Sequence, residues 1–231
     1  MSDESPIELR ELVSADELAV LPEFERHVWG GNAEAVSVNM LVATLIEGGM
    51  AIGAFDGGRI VGAVYGFATR EPHVLHSHYM AVDAEYRRRG LAVTLKQAQR
   101  TWCLERGYTA MRWTYDPLQV ANAHLNLRVL GAVGILYHPN HYGALGGING
   151  SLPSDRITVR WDLEAPRSEV GPERRTVDVH PLAPNAIATS SPEALVARHA
   201  LRDALRPLMD DGWRLVDIDR AERRYTLAPP A

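Results

Sequence analysis

The stretch Met80-Ala81-Val82-Asp83-Ala84-Glu85-Tyr86-Arg87-Arg88-Arg89-Gly90-Leu91-Ala92 decides how this sequence reads. An apolar strand end runs into a basic loop, and Gly90 opens an amphipathic helix. Leu91, Leu95, Ala98 and Trp102 are spaced four, three and four apart, so they share one helix face. A helix N-terminus leaves backbone N–H groups without acceptors and carries about half a positive charge. Gly90 and the small Ala92 admit a bulky anion, and three arginines add charge. The physical expectation is a phosphate or pyrophosphate site. A solvated basic turn capping an ordinary helix is the plainer alternative. The Gly-Lys-Ser/Thr ending of a Walker loop is absent, as are two of the three glycines of a dinucleotide fingerprint.

Outward from this segment, patterning gives the rest. Val74 to Val82 is a strand, and Met50–Phe55 with Arg59–Ala68 makes a hairpin around Asp56-Gly57-Gly58. Upstream, Ile7–Val13 is a strand. Ser14-Ala15-Asp16-Glu17 has capping-box spacing and starts a helix to Trp29. Another helix covers Val36–Ile46. Downstream, Tyr108–Tyr115 is a strand. Asp116-Pro117-Leu118-Gln119 then opens a helix that runs to Leu130 and stops at Gly131. Strands come next near Val133–Tyr137 and Arg156–Leu163.

A Pro-rich tract over 164–192 separates this part from a helix that Ser191 caps, and from strands at Trp213–Ile218 and Arg223–Leu227. The expected division is 1–163 and a linker plus small α/β segment over 164–231. The latter is too short to hold a strong core and is expected to pack on the former.

Composition narrows the function. The 231 residues carry 24 Lys+Arg against 29 Asp+Glu, a net charge of -5, with 46% hydrophobic content. That is a globular composition, and its mild acidity argues against a nucleic-acid partner. No apolar run approaches the ~18 residues of a membrane span. The acidic start, Met1-Ser2-Asp3-Glu4-Ser5, is unlike a signal peptide. The single Cys103 allows no internal disulfide, and no metal site is expected. A cytoplasmic setting is expected.

Arg87-x-x-Gly90-x-Ala92 matches the Arg/Gln-x-x-Gly-x-Gly/Ala signature of the GNAT N-acetyltransferases, and the order of elements over about 5–163 resembles that family. The resemblance implies an α+β fold, with a mixed, mostly antiparallel sheet flanked by helices. It implies acetyl-CoA as co-substrate and a small-molecule or protein amine as acceptor. The pantetheine arm would pair with Met80, Ala81 and Val82, and the pyrophosphate would rest on the loop Arg87, Arg88, Arg89, Gly90, Leu91 and Ala92. Asn122 would contact the cofactor arm, and a backbone N–H near Met80 would stabilise the oxyanion.

The sequence departs from the family where a tyrosine usually protonates the leaving thiolate, four residues before Gly131. Leu127 stands there, and Asn122 lies about two residues off the commonest Asn position. Tyr137 or Tyr142 could substitute as the acid, Tyr142 being the catalytic candidate, and a water-mediated exit is equally allowed. His78, paired with His76 on one strand, is the candidate base. Asp116 could meet a substrate amine or simply cap its helix. Asn140, His141, Tyr142 and Asn149 could line an acceptor pocket. Cys103 reads as packing. A non-catalytic acyl-CoA sensor on the same fold is the rival reading, and a homodimer stays open.

Overall fold

Alternating apolar residues, the glycine turn at 57–58 and the caps at Ser14 and Ser191 fix the elements. The computed structural model describes residues 6–30, 34–147, 150–165, 171–183 and 185–230. These form two compact units, Met1–Met111 and Arg112–Ala231. The composition break at 164–192 therefore falls inside the second unit.

In the first unit, β1 (Glu8–Glu11), β2 (Met50–Asp56), β3 (Arg59–Ala68) and β4 (Val74–Val82) pair in that order, all antiparallel. Helices α1 (Ala15–Leu18), α2 (Val20–Trp29) and α3 (Val38–Ile46) precede β2, and α4 (Leu91–Glu105) comes after β4. The helix expected from Ser14 to Trp29 is two helices. The capping box at Ser14 and Glu17 forms as expected. Pro22 then lacks an N–H and crowds the carbonyl four residues back, so the chain turns at Ala19. Strand β3 is buried on both faces. Its Ala63 and Tyr65 join Leu18, Leu21, Phe24 and Leu41 in one core. Gly62 faces the other way, against Leu91 and Leu95 of α4. That is the period-two alternation of a strand.

In the second unit, β5 (Ala110–Tyr115), β6 (Val133–His138), β7 (Arg156–Asp162), β8 (Arg175–Asp178), β9 (Arg214–Asp219) and β10 (Arg224–Ala228) take the order β5-β7-β6-β9-β10-β8. Helix α6 (Pro192–Asp210) packs on β6 and β8. The 176–231 segment thus does not sit as a separate layer: β9 continues the sheet of β6 and β7 through Gly134 and Leu215. The helix expected over 117–130 starts late. Asp116 Oδ1 accepts from Leu118 N at 2.9 Å and closes a turn, so helical winding begins only at α5 (Val120–Ala123). It continues as a π-helical turn over His124–Val129.

Gly134 marks a close approach between β6 and β9. A Cβ there would lie 2.8 Å from Leu215 Cβ and 3.1 Å from Ile157 Cγ2. Gly134→Val should therefore destabilise by about 1–3 kcal/mol through overpacking. Urea unfolding measures it, and a midpoint equal to the wild type would refute this account of the β6–β9 contact.

Candidate functional site

Strand β4 ends at Val82, and Asp83 organises the turn that leads to α4. Its Oδ1 accepts from Glu85 N at 2.9 Å, starting a short 3-10 turn over Ala84–Tyr86. Oδ2 lies 3.2 Å from His27 Nε2 and 3.9 Å from an Arg59 nitrogen. The Glu85 amide above all, then His27 and Arg59, hold the Asp83 carboxyl below its ordinary pKa. Tyr86 donates to Asp56 Oδ2, and the Arg59 and Arg89 guanidiniums stand 5.5 and 5.4 Å from its ring centre. Arg87 Nε donates back to the Val82 carbonyl at 3.1 Å. The loop is thus tied down from below.

Its upper side is open. Arg88 has φ of 63° and Gly90 φ of 86°, both left-handed. Gly90 is the N-cap of α4 and offers no side-chain cap. Val93 N and Thr94 N donate to the Gly90 carbonyl, at 2.9 and 3.1 Å. The amides of Leu91 and Ala92, in the first turn, have no intrahelical acceptor. A Cβ on Gly90 would meet nothing within 4 Å. Arg87, Arg88, Arg89 and Gly90 are all exposed. The turn therefore presents bare amides and cations to an approaching anion, unfilled by side chains.

This geometry goes with a family. The sequence pattern of the GNAT acetyltransferase family matches residues 15–146, more than half of the chain. The chain belongs to that family. The fold agrees with solved GNAT structures. The ribosomal-protein-S18-alanine N-acetyltransferase of Escherichia coli superposes with a TM-score of 0.56 at 16% identity, covering 72% of this chain and 97% of that one. The yncA protein of Salmonella typhimurium, solved with its cofactor acetyl-CoA, gives 0.56 at 15% identity, covering 73% and 99%. Ard1 of Thermoplasma volcanium gives 0.52 at 18%, covering 68% and 98%. No curated protein matches the sequence.

In this GNAT chain, Met80, Ala81 and Val82 pair with Val64, Ala63 and Gly62 of β3. One pair further back the register slips: Tyr65 opposes Tyr79 and Gly66 opposes Ser77, leaving His78 as the extra residue of a bulge. A bulge re-aims its side chain. The His78 ring sits among those of Tyr65, Phe67 and His76, at 5.7, 5.6 and 5.9 Å. It is exposed at one side, yet this aromatic packing strips water and lowers its pKa. The ring is therefore neutral near pH 7 and able to accept a proton.

A helix packed on the same strand carries a group the sequence reading missed. Glu25 of α2 is 2% exposed, and its Oε1 and the Tyr79 hydroxyl are both buried, neither with a hydrogen-bond partner among the described residues. Burial pushes the Glu25 carboxyl up to about 7. Glu25 falls four residues after Leu21 and seven after Leu18, and that helical spacing was the sign in the sequence of its burial.

The remaining candidates fall in the second unit. Asn122 is exposed, whereas Asn126 is buried and accepts from Trp113 Nε1 at 3.2 Å. Leu127 is fully buried, so no acid stands at the family's tyrosine position. Tyr137 is buried and donates to Asp155 Oδ2 at 2.5 Å; burial, then this carboxylate, raises its pKa strongly. Tyr142 is 48% exposed, its hydroxyl 3.2 Å from Thr114 Oγ1. Asp116 is not free to meet an amine, because Arg198 grips it through two hydrogen bonds of 3.0 and 2.8 Å. Asn149 lies outside the described residues. Burial raises the Cys103 thiol to about 12, which fits packing. No cluster of three metal-ligating side chains exists among the described residues.

A cavity of about 620 Å³ in the first unit lies elsewhere, lined by Trp102, Arg106 and Tyr108 near the end of α4. Fifteen residues of helix put that end about 22 Å from Gly90. Its polar groups satisfy one another: Trp102 Nε1 donates to Glu11 at 2.7 Å and Tyr108 to the Gly48 carbonyl at 2.7 Å.

Behind β4, Lys96 of α4 is buried and donates to Ser77 Oγ at 2.7 Å and Gln99 Oε1 at 3.1 Å. Desolvation drives its pKa from 10.5 down to about 7. Between those values the unfolded chain holds a proton that the native chain lacks, so stability rises with pH across that window. Lys96→Met should flatten this slope and stabilise most at and below pH 7. Urea melts from pH 6 to 10 measure it; parallel curves for the two proteins would contradict the burial argument.

Proposed function

We propose that the chain is an acetyl-CoA-dependent N-acetyltransferase that moves an acetyl group directly to an amine. The single observation that carries this reading is the open turn at 87–92, whose bare amides and exposed arginines match the charge and shape of a diphosphate. Arg87, Arg88, Arg89, Gly90, Leu91 and Ala92 would hold the pyrophosphate. Met80, Ala81 and Val82 would pair with the pantetheine arm, and Asn122, exposed on α5, would contact the same arm. Bound there, acetyl-CoA supplies its acetyl group as a thioester.

The chain's residues then have separate tasks. His78 takes the proton of the amine so that its lone pair is free to attack. The backbone N–H near Met80 stabilises the oxyanion. Tyr142, the more accessible of the two tyrosines, returns a proton to the leaving sulfur. A C–N bond forms as the C–S bond breaks, and the thiol is the second product. No side chain is acylated on the way, and holding both reactants together supplies much of the rate. The acceptor is a small-molecule or protein amine, and we take the setting as cytoplasmic. No helix of the described residues is long and apolar enough to cross a membrane.

One observation favours the sensor reading: Leu127 puts a buried apolar side chain where the family keeps its acid. Turnover separates the two. Gly90→Glu should abolish acetyl-CoA binding in calorimetry, by straining a left-handed position and setting a like charge beside the pyrophosphate. Unchanged affinity would remove the loop from the site. In thiol-release assays, His78→Gln should lose the acidic limb of the kcat/KM profile, a limb that falls below the ordinary imidazole range. An unaltered limb returns His78 to a packing role.

A further inference from the structure

At one point in the second unit two buried carboxylates meet three guanidiniums, of which Arg202 keeps 23% of its side chain exposed. Asp116 and Asp155 face Arg156, Arg198 and Arg202, so this set carries one surplus cation. The carboxylates are saturated by other groups. Arg198 takes both oxygens of Asp116. Asp155 accepts from Arg202 at 2.8 and 2.6 Å, from Tyr137 at 2.5 Å and from Asn140 N at 2.9 Å. Arg156 is left over. It is 8% exposed, its Nη1 donates to the Asp155 carbonyl at 2.9 Å, and it reaches Asp116 only at 3.9 Å. Nη1 carries the hydrogen bond of that guanidinium to the described residues, and Nε and Nη2 make none to them.

A guanidinium's planar fork matches a carboxylate through two parallel bonds, and Asp116, at 3.9 Å, does not give Arg156 that pair. The Tyr142 ring stands 5.6 Å from the Arg156 guanidinium and is itself 48% exposed, so the place opens to solvent. The His141 ring meets that ring edge-on, at 4.4 Å. Together they form an aromatic wall beside a half-used cationic fork.

We propose that Arg156 anchors the carboxylate of a small organic ligand in the second unit, with Tyr142 as the wall for its apolar body.

The test needs no turnover. Phenylalanine, phenylacetate and phenethylamine are titrated into the full chain by calorimetry without acetyl-CoA. Both carboxylates should bind, and phenethylamine should bind about tenfold or more weakly, the worth of one charged hydrogen-bond pair. Arg156→Gln should lose carboxylate binding while Arg156→Lys keeps part of it. Tyr142→Ala, at an exposed position, should weaken binding several-fold without loss of fold. The thermal midpoint of Arg156→Gln should fall little, since Arg198 and Arg202 hold both carboxylates without it. Equal binding of phenethylamine, no carboxylate binding in the millimolar range, or wild-type affinity in Arg156→Gln would each overturn the proposal. A large drop in midpoint would also overturn it, by making Arg156 a structural partner of Asp116. Failure of the acetyltransferase reading itself would instead show in the acetyl-CoA titration.

Discussion

The left-handed Gly90 that caps α4 without a side chain is the constraint on which the rest depends. Most helices spend a Ser, Thr, Asp or Asn on their first turn, and Ser14, Ser37 and Ser191 do so in this chain. The helix after Gly90 does not. Its first amides stay unused, and the surroundings keep them so. Asp83 fixes the preceding turn, Tyr86 is pinned to Asp56, and Arg87 folds back on Val82. The loop is rigid beneath and vacant above, which is the condition for a preorganised anion site.

Strand β4 joins that turn to the proposed catalytic segment. The bulge at His78 lies two residues before Met80, and the buried Lys96–Ser77–Gln99 set holds its inner side. A buried lysine and a buried Glu25 on elements packed against one strand are costly features. Their placement beside the bulge ties that cost to the segment carrying His78 and Tyr79, and not to the distant cavity near Trp102.

Much of this was legible in the sequence. The β3 and β4 boundaries emerge from alternation and turn residues, and α4 falls out of a single apolar stripe. The Arg87-x-x-Gly90-x-Ala92 spacing, together with the element order, pointed to the GNAT family that the 15–146 match shows. What escaped had physical reasons. Pro22 splits the first helix because its missing N–H outweighs the capping box upstream. Asp116 looked like a cap or a substrate contact, because its partner Arg198 lies 82 positions away and long-range ion pairs leave no local pattern. Asp155 and Arg156 are adjacent in sequence yet serve opposite ends of one charge cluster, which only the fold can sort. The β6–β9 pairing rests on Gly134, a residue whose close approach is invisible until its neighbours are in place.

The most direct measurement of the central claim is an amide NMR titration of the full chain with acetyl-CoA. The account predicts that the largest shifts fall on the backbone N–H groups of Arg88, Gly90, Leu91 and Ala92, with smaller ones along Met80 to Val82. Saturable shifts centred instead on Trp102, Arg106 and Tyr108, or none at all, would contradict it.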